Sequence, residues 1–313
     1  MVLRALKRSV DSARIYHGRW FGRPTHSVAW GGSEPMGGGE HLFIVEVLGR
    51  AWGSLLLRPY VFGFLAVYLV AATAAWGWRR AATFTVWAGS VAFVAEWGST
   101  RVGIPFGLYH YTGATVGREL YVSNVPFFDP LSFTFLAYAS LGLASLLLSM
   151  PGDELRSGFA AGLTRLRLAG LAGVLMMWLD LVIDPLAVRG DRWFLGRIFY
   201  YPEPGRYFGV PVANFIGWVV VGAAIAWGWT ALGPRVGGGS PAWARRWPGH
   251  ERQAVVIYYL VLAFNLAITA AVAEPALFWA GVLLHVPLAA FVVCSLRSRP
   301  GTSRMPARAG EAA

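Results

Sequence analysis

The chain of 313 residues is too apolar for an ordinary soluble protein of that length. Apolar residues make up 56% of it and charged residues 14%, against about 45–50% and about 25% in soluble domains. Its net charge of +11 would suit a nucleic-acid-binding protein, but the basic residues lie between apolar runs, where they act as topology signals. Composition therefore predicts an integral membrane protein with the lipid bilayer as a partner and no nucleic acid.

Seven apolar runs approach the ~20 residues that a helix needs to cross a bilayer. A weaker eighth candidate covers 41–57, where Glu46 and Arg50 interrupt the run but are spaced to pair on one helix face. We predict an all-α polytopic transmembrane helix bundle of seven or eight spans. The seven clear runs are 59–78, 82–97, 127–150, 158–184, 210–232, 253–273 and 275–296.

The distribution of basic residues favours eight spans over seven. With seven, the 27 lysines and arginines divide almost evenly between the two faces. With eight, 19 of them fall on the face that carries both termini, which the positive-inside rule assigns to the cytoplasm. We therefore predict a protein of the cytoplasmic membrane with both termini inside. A re-entrant or interfacial helix over 41–57 is the alternative.

The organisation along the chain follows from this reading. Residues 1–40 are predicted to be a disordered basic cytoplasmic tail because they are Gly-rich and lack hydrophobic periodicity. Residues 41–296 form the transmembrane helical domain, and 297–313 a basic C-terminal tail. Two long polar-aromatic connections, 97–125 and 184–207, are predicted to share one membrane face. The single cysteine, Cys294, excludes a disulfide framework, and we expect it to be buried.

Acidic residues near the spans are the first candidates for chemistry, because ionisable groups are costly at membrane depth. Glu96 ends one predicted span and Asp129 begins the next. Asp180 and Asp184 lie four residues apart, which places them on one helix face. Two carboxyl groups so close together tend to share a proton, and this favours a catalytic role. The alternative is structural, with each carboxylate paired to an arginine such as Arg101 or Arg189.

The two connections supply the other candidates. The stretch EWGSTRVGIPFGLYHYTG, from Glu96, holds four glycines and a proline, which predict an irregular segment that brings aromatic rings together. Such a segment is tolerated at membrane depth only where protein or a cavity covers it. In the apolar run after the second connection, Asn214 could orient a water or join two helices. The candidate aromatic and polar binding residues are Phe106, Tyr109, Tyr111, Trp178, Tyr207, Asn214 and Trp218.

Familiar cofactor motifs are absent from the sequence. The six histidines are scattered, without the clustering of a di-iron site. There is no GxGxxG after a strand, no Walker A sequence and no GxSxG elbow. We therefore predict no cofactor and no bound metal, and the simplest remaining chemistry is acid–base catalysis on an apolar substrate.

Three ordered motifs resemble the membrane carotenoid 1,2-hydratases of the CruF type, also called bisanhydrobacterioruberin hydratases. They are EWGSTRVGIPFGLYHYTG from Glu96, WLDLVIDPLAVRGDRW from Trp178 and YFGVPVANFIGW from Tyr207. The sequence departs from that pattern in YVSNVPFFDPLSF, which contains Asp129, and in the lengthened stretch FLGRIFYYPEPG.

The resemblance implies that the protein adds water across the terminal C1,C2 double bond of an acyclic carotenoid, giving a tertiary 1-hydroxy group. Asp180, Asp184 and Glu96 would supply the acid and the base. The aromatic residues would face the cation at C1. Other carotenoid pathway enzymes could be partners.

Three other readings stay open at this stage. A UbiA-like prenyltransferase fits the DxxxD spacing of Asp180 and Asp184, but no second Asp-rich motif is present to bind Mg²⁺. A membrane lycopene cyclase would trap the same cation with an internal alkene. A carotenoid-binding scaffold subunit would need no carboxylate chemistry.

Overall fold

The computed structural model describes residues 38–148, 159–244 and 252–297, and in these ranges the chain forms a bundle of eight long α-helices. Residues 1–37 and 298–313, which make up most of the two predicted tails, lie outside the described residues. The helices are α1 (Gly38–Leu57), α2 (Pro59–Trp76), α3 (Trp78–Val102), α4 (Phe128–Leu147), α5 (Phe159–Ala187), α6 (Val212–Leu232), α7 (Gln253–Ala271) and α8 (Pro275–Arg297).

Two short antiparallel ribbons lie in the connections between these helices. Strand β1 (His110–Tyr111), in the connection after α3, pairs with β4 (Phe199–Tyr200), in the connection after α5. Strands β2 (Tyr121–Val122) and β3 (Val125–Pro126) form a hairpin just before α4. Because β1 and β4 pair, the two connections meet at one end of the bundle, as predicted.

The opposite end carries the short junction between α2 and α3 and the segment that follows α6. The Ser240 hydroxyl donates to the Ala75 carbonyl over 2.9 Å, and the Arg80 side chain donates to the Val236 carbonyl over 3.0 Å. Helices α3 and α5 therefore run toward the end with the connections, whereas α4 and α6 run away from it.

Six helices are long and apolar enough to cross a membrane, and the protein is an integral membrane protein. They are α2 and α4 to α8. Helix α3 carries Arg79, Arg80, Glu96 and Arg101, yet its 25 residues rise ~1.5 Å each, enough to cross the hydrocarbon, and its alanine-rich face is buried in the core. Helix α1 contains the predicted pair of Arg50 and Glu46, at 2.5 Å.

Glycines allow the closest helix contacts. A Cβ on Gly173 of α5 would lie 2.3 Å from the Val219 carbonyl of α6, and one on Gly222 would lie 2.9 Å from the Gly173 Cα. Small residues of this kind let membrane helices approach backbone to backbone. The contact lies about four turns from the end of α5 and two to three turns from the start of α6, and it holds these two helices side by side.

Two sequence expectations are wrong. Residues 96–102 form the last turns of α3, although the glycines of the first motif predicted an irregular segment. Gly98 is accommodated within the helix, and the turn comes at Gly103, whose φ of +74° ends α3 in the left-handed conformation. Cys294 is exposed on the outer surface of α8, because it lies beside the exposed Val293 rather than with the buried Val292.

A buried ion pair ties α1 and α2 to both connections. The Arg58 guanidinium, at the α1–α2 junction, donates to both carboxylate oxygens of Glu119 at 3.1 and 3.2 Å, and both residues are only 1% exposed. Arg58 also donates to the Leu195 carbonyl and lies 4.6 Å from the centre of the Phe128 ring. Each nitrogen of the Arg58 guanidinium and each carboxylate oxygen of Glu119 therefore has a hydrogen-bond partner.

Candidate active site

Four carboxyl groups meet beneath the connections. Glu96 lies near the end of α3, Asp129 in the first turn of α4, and Asp180 and Asp184 near the end of α5. They converge because α3 and α5 end where α4 begins. Glu96 is 2% exposed and Asp180 fully buried. The bundle thus places four acidic side chains in its interior at one end.

Tyr111 joins Glu96 and Asp129. Its hydroxyl lies 3.0 Å from Glu96 Oε2 and 2.7 Å from Asp129 Oδ2. The Tyr109 hydroxyl is 3.4 Å from that of Tyr111. Burial, followed by the nearby charges of Asp129 and Glu96, raises the pKa of the Tyr111 phenol well above its usual value, so this hydroxyl keeps its hydrogen at ordinary pH.

Asn214 joins Asp180 and Asp184. Its side-chain Nδ2 donates to Asp180 Oδ2 over 2.8 Å and to Asp184 Oδ2 over 2.7 Å. The indole N–H of Trp218, one turn further along α6, donates to the same Asp184 oxygen over 3.3 Å. Asn214 and Trp218 can reach α5 because Gly173 and Gly222 bring the two helices together.

Neither arginine named as a structural partner contacts these carboxylates. Arg101 donates to Asn124 Oδ1 over 2.8 Å and to Ser123 Oγ over 3.0 Å at the turn of the β2–β3 hairpin. The Arg189 guanidinium lies 3.2 Å from the carboxylate of Glu274. Among the described residues, the hydrogen bonds given to the four acids come from phenol, amide and indole groups.

A pocket with an empty volume of about 920 Å³, including open solvent at its mouth, reaches these acids. Its polar end is lined by Glu96, Asp129, Asp184 and Asn214. Beside them, the Phe133 and Trp218 rings are stacked, with centres 4.5 Å apart and planes within 8°. The pocket therefore sets acidic groups directly against aromatic faces.

The other end of the pocket is apolar and reaches the side of the bundle between α2 and α7. The partly exposed rings of Tyr60, Phe64, Phe264 and Trp193 line it. The Tyr60 and Phe264 rings stack with centres 5.3 Å apart, and Phe64 contacts Phe264 edge-on at 5.7 Å. An apolar chain entering from the bilayer would pass these rings before its end reached the acids.

Phe106 is held in the wall by close packing of the first connection on α6. A Cβ on Gly217 would lie 2.6 Å from the Phe106 ring and 2.8 Å from the Pro105 carbonyl. The amide of Phe106 donates to Ser99 Oγ over 2.9 Å. The missing side chain at Gly217 thus lets the turn after α3 lie against α6.

Most of the predicted site residues gather around this pocket. Phe106, Tyr109, Asn214 and Trp218 line it with Glu96 and Asp184, and Tyr111 contacts Glu96. Asp180 lies behind Asn214, off the wall.

Two predicted residues lie elsewhere. The Trp178 indole donates to the Leu284 carbonyl of α8 over 3.2 Å, and the Tyr207 hydroxyl donates to the Leu181 carbonyl over 3.2 Å. Neither residue lines the pocket.

Sequence reasoning omitted several wall residues from the proposed set. Asp129 is one of them, although its place at the start of a span is the same signal that selected Glu96. Phe133, Phe199 and Tyr201 also line the pocket, but they give no signal in the sequence beyond aromatic character.

The structure thus shows a membrane protein with a group of carboxyl residues at the end of an aromatic pocket. The chain belongs to the family of carotenoid biosynthesis proteins, whose sequence model matches residues 57–291. That range includes the four acids and both connections.

A bisanhydrobacterioruberin hydratase of Haloarcula japonica is 32% identical to the chain over 145 residues. The matched region covers 46% of this chain and 43% of the relative, so the chain spans less than half the length of that relative. No solved structure matches the chain.

Proposed function

We propose that the protein is a carotenoid 1,2-hydratase, which adds water to the terminal C1,C2 double bond of an acyclic carotenoid end group. The observation that carries this proposal is that Glu96, Asp129 and Asp184 line one pocket together with the stacked rings of Phe133 and Trp218. Acid, base and aromatic faces are the groups that alkene hydration needs. The Haloarcula relative, whose name describes it as a hydratase, supports the same reaction class.

The reaction begins with proton transfer to carbon. A protonated carboxyl group, either Glu96 or Asp129, gives its proton to C2, and the electron pair of the C1,C2 double bond forms the new C–H bond. This leaves a tertiary cation at C1. The faces of Phe133, Trp218 and Phe106 stabilise that cation through their negative ring quadrupoles.

Water then completes the addition. The oxygen of a water molecule forms a bond to C1, and one of its protons passes to Asp184 as general base. Return of that proton to the acid restores the site, so that the net change is the addition of one water. Asn214 and Trp218 hold Asp184 in place throughout, since both donate to its Oδ2 atom.

The remainder of the substrate occupies the apolar end of the pocket. A polyene entering between α2 and α7 meets the aromatic rings of Tyr60, Phe64 and Phe264, which suit a flat conjugated chain. The bilayer supplies the substrate, and we place the protein in the cytoplasmic membrane, where other enzymes of the pathway would be its neighbours.

The test is hydration by membranes that contain the full chain. Membranes given lycopene, without oxygen, added metal or nucleotide, and in water carrying the heavy oxygen isotope, should yield a product heavier by one molecule of labelled water. The control is a membrane with the Glu96→Gln/Asp184→Asn double variant at equal protein level, which should give no product.

Other outcomes would replace the proposal. Label from molecular oxygen, or a requirement for a nicotinamide cofactor, would indicate a monooxygenase. A changed absorption spectrum at unchanged mass would indicate a cyclase. Binding of the carotenoid without any chemical change would indicate a scaffold.

A further inference from the structure

The two carboxyl pairs differ in how many hydrogens their bridging groups can donate. Tyr111 lies within hydrogen-bonding distance of Glu96 and Asp129, but a phenol has one hydrogen to donate. Asn214 lies between Asp180 and Asp184, and its amide nitrogen carries two. An ionised carboxylate can only accept. The bridging group can therefore donate a hydrogen bond to both carboxylates at Asn214, but to only one of them at Tyr111.

Around Tyr111 the hydrogens do not suffice for two ionised acids. If Glu96 and Asp129 were both ionised, the single phenol hydrogen could serve one contact, and the other would bring two bare oxygens together. Both contacts become hydrogen bonds when one carboxyl group carries a proton and donates it to the phenol oxygen. The pair and Tyr111 then hold one more hydrogen than the phenol alone supplies.

Around Asn214 the hydrogens do suffice. One N–H serves Asp180 and the other serves Asp184, and the indole of Trp218 adds a third N–H at Asp184 Oδ2. Asp184 thus accepts two N–H groups on one oxygen, an arrangement that favours its ionised form. These three contacts need no added proton. Asp180 and Asp184 also contact each other through their side chains, and a proton held there belongs on Asp180, because Asp184 accepts more side-chain N–H groups.

We infer that Glu96, Tyr111 and Asp129 share one proton and together form the acid of the reaction, whereas Asp184 is the base. This assignment rests on the proposed function. Glu96 and Asp129 both line the pocket, and we assign the proton transfer to Glu96 because its Oε1 atom has no hydrogen-bond partner. Asp129 and Tyr111 are positioning residues that keep the proton available to Glu96.

Infrared spectroscopy of the purified full-length protein tests the shared proton without any carotenoid. A protonated carboxyl group has a C=O stretching band separate from the bands of carboxylates. Glu96→Gln and Asp129→Asn should each remove the intensity of one carboxylic acid, because either change leaves one acid that the Tyr111 hydrogen can satisfy. Asp184→Asn is the matched control and should retain that intensity.

The shared proton is wrong if the band keeps its intensity in either Glu96→Gln or Asp129→Asn, or if Asp184→Asn loses it. Size-exclusion chromatography identifies variants that do not fold. If one of the two acid variants fails to fold, the other still decides the question, since a shared proton requires both acids.

Deuterium exchange tests the division between acid and base. In heavy water, Asp184→Asn should still protonate C2 reversibly, so that unhydrated carotenoid is recovered with deuterium. Glu96→Gln and Asp129→Asn should incorporate about 100-fold less, the usual scale of a lost general acid. Tyr121→Phe removes a phenol that contacts Thr115 outside the pocket and should hydrate as the unaltered protein does.

The results separate two kinds of failure. If the unaltered protein hydrates lycopene but Asp184→Asn shows no exchange, the assignment is wrong and the function stands. If the unaltered protein does not hydrate any acyclic carotenoid, the function is wrong, whereas the infrared result still decides whether the proton is shared.

Discussion

The protein buries two polar clusters close together, and they are built on opposite principles. In the first, Arg58 and Glu119 neutralise each other, and the guanidinium also meets a carbonyl and a ring face. In the second, four acids meet phenol, amide and indole groups, and Glu96 Oε1 and Asp180 Oδ1 are buried without partners. We call the first the matched cluster, because the charges of Arg58 and Glu119 balance each other. The second is unmatched, because no basic side chain among the described residues forms a hydrogen bond with its acids.

The largest effect should come from removing acidity in the unmatched cluster. Glu96→Gln and Asp184→Asn should each reduce carotenoid hydration about 10²–10⁴-fold, the range of general acid–base catalysis. Glu96→Gln should retain or raise stability, because Glu96 Oε1 is buried without a hydrogen-bond partner and such a group costs free energy. Product yield per folded protein in membranes measures the first effect, and thermal unfolding measures the second. A large loss of stability at unchanged specific activity would show that these acids serve folding rather than the reaction.

The matched cluster should respond in the opposite way. Glu119→Leu leaves the Arg58 charge buried and unpaired, which should lower the free energy of unfolding by about 3–5 kcal/mol. Denaturation of detergent-solubilised protein measures this change. The Arg58→Met/Glu119→Leu double variant is the control and should recover most of the loss. If the single and double variants were equally unstable, packing rather than charge pairing would hold this region.

A smaller effect should follow from disturbing the pocket wall that Phe106 forms. Gly217→Ala places a methyl group against the Phe106 ring and the Pro105 carbonyl, and overpacking of this kind costs about 1–3 kcal/mol. Hydration should also fall, because Phe106 lines the pocket. Gly170→Ala is the matched control, since a Cβ there meets nothing within 4 Å. Equal stability and equal hydration in the two variants would show that the turn after α3 can shift without a loss of free energy.

The smallest effect concerns the phenol nearest the matched cluster. Burial, the largest cause, raises the pKa of Tyr121 to about 12, against about 10 for a free tyrosine. Above pH ~10 the unfolded chain therefore loses this proton before the folded protein does, and stability should fall as pH rises toward about 12. Tyr121→Phe should flatten that part of the pH profile, which thermal unfolding measured across this pH range would detect.

Hydropathy and motif composition were sufficient for the bundle and for much of the site. Apolar runs predicted helices within a few residues of α2 and α4 to α8, because the length of a span is set by the bilayer. The i,i+4 spacing of Asp180 and Asp184 predicted one helix face, and both contact Asn214. These features are local along the chain, so a sequence displays them directly.

Features that depend on long-range contacts were not predictable. The partnership of Tyr111 with Asp129 crosses from one connection to the start of α4. The positions of Trp178 and Tyr207 away from the pocket depend on how α5 rotates against α8 and α6. The glycines of the first motif predicted an irregular backbone at Gly98, whereas Gly98 lies within α3. Such outcomes depend on which neighbour each side chain meets, and periodicity carries no information on that.

The pairing of β1 with β4 also makes the two ends of the helix bundle different. Every copy inserted in one orientation presents its acids to the same leaflet, whereas an extended carotenoid that spans the bilayer places one end in each leaflet. With the proposed activity, a single encounter can hydrate one end only. A symmetrical diol would require the carotenoid to reverse its orientation in the bilayer between two rounds of hydration. The ratio of monohydroxy to dihydroxy product would therefore report how fast the carotenoid reverses.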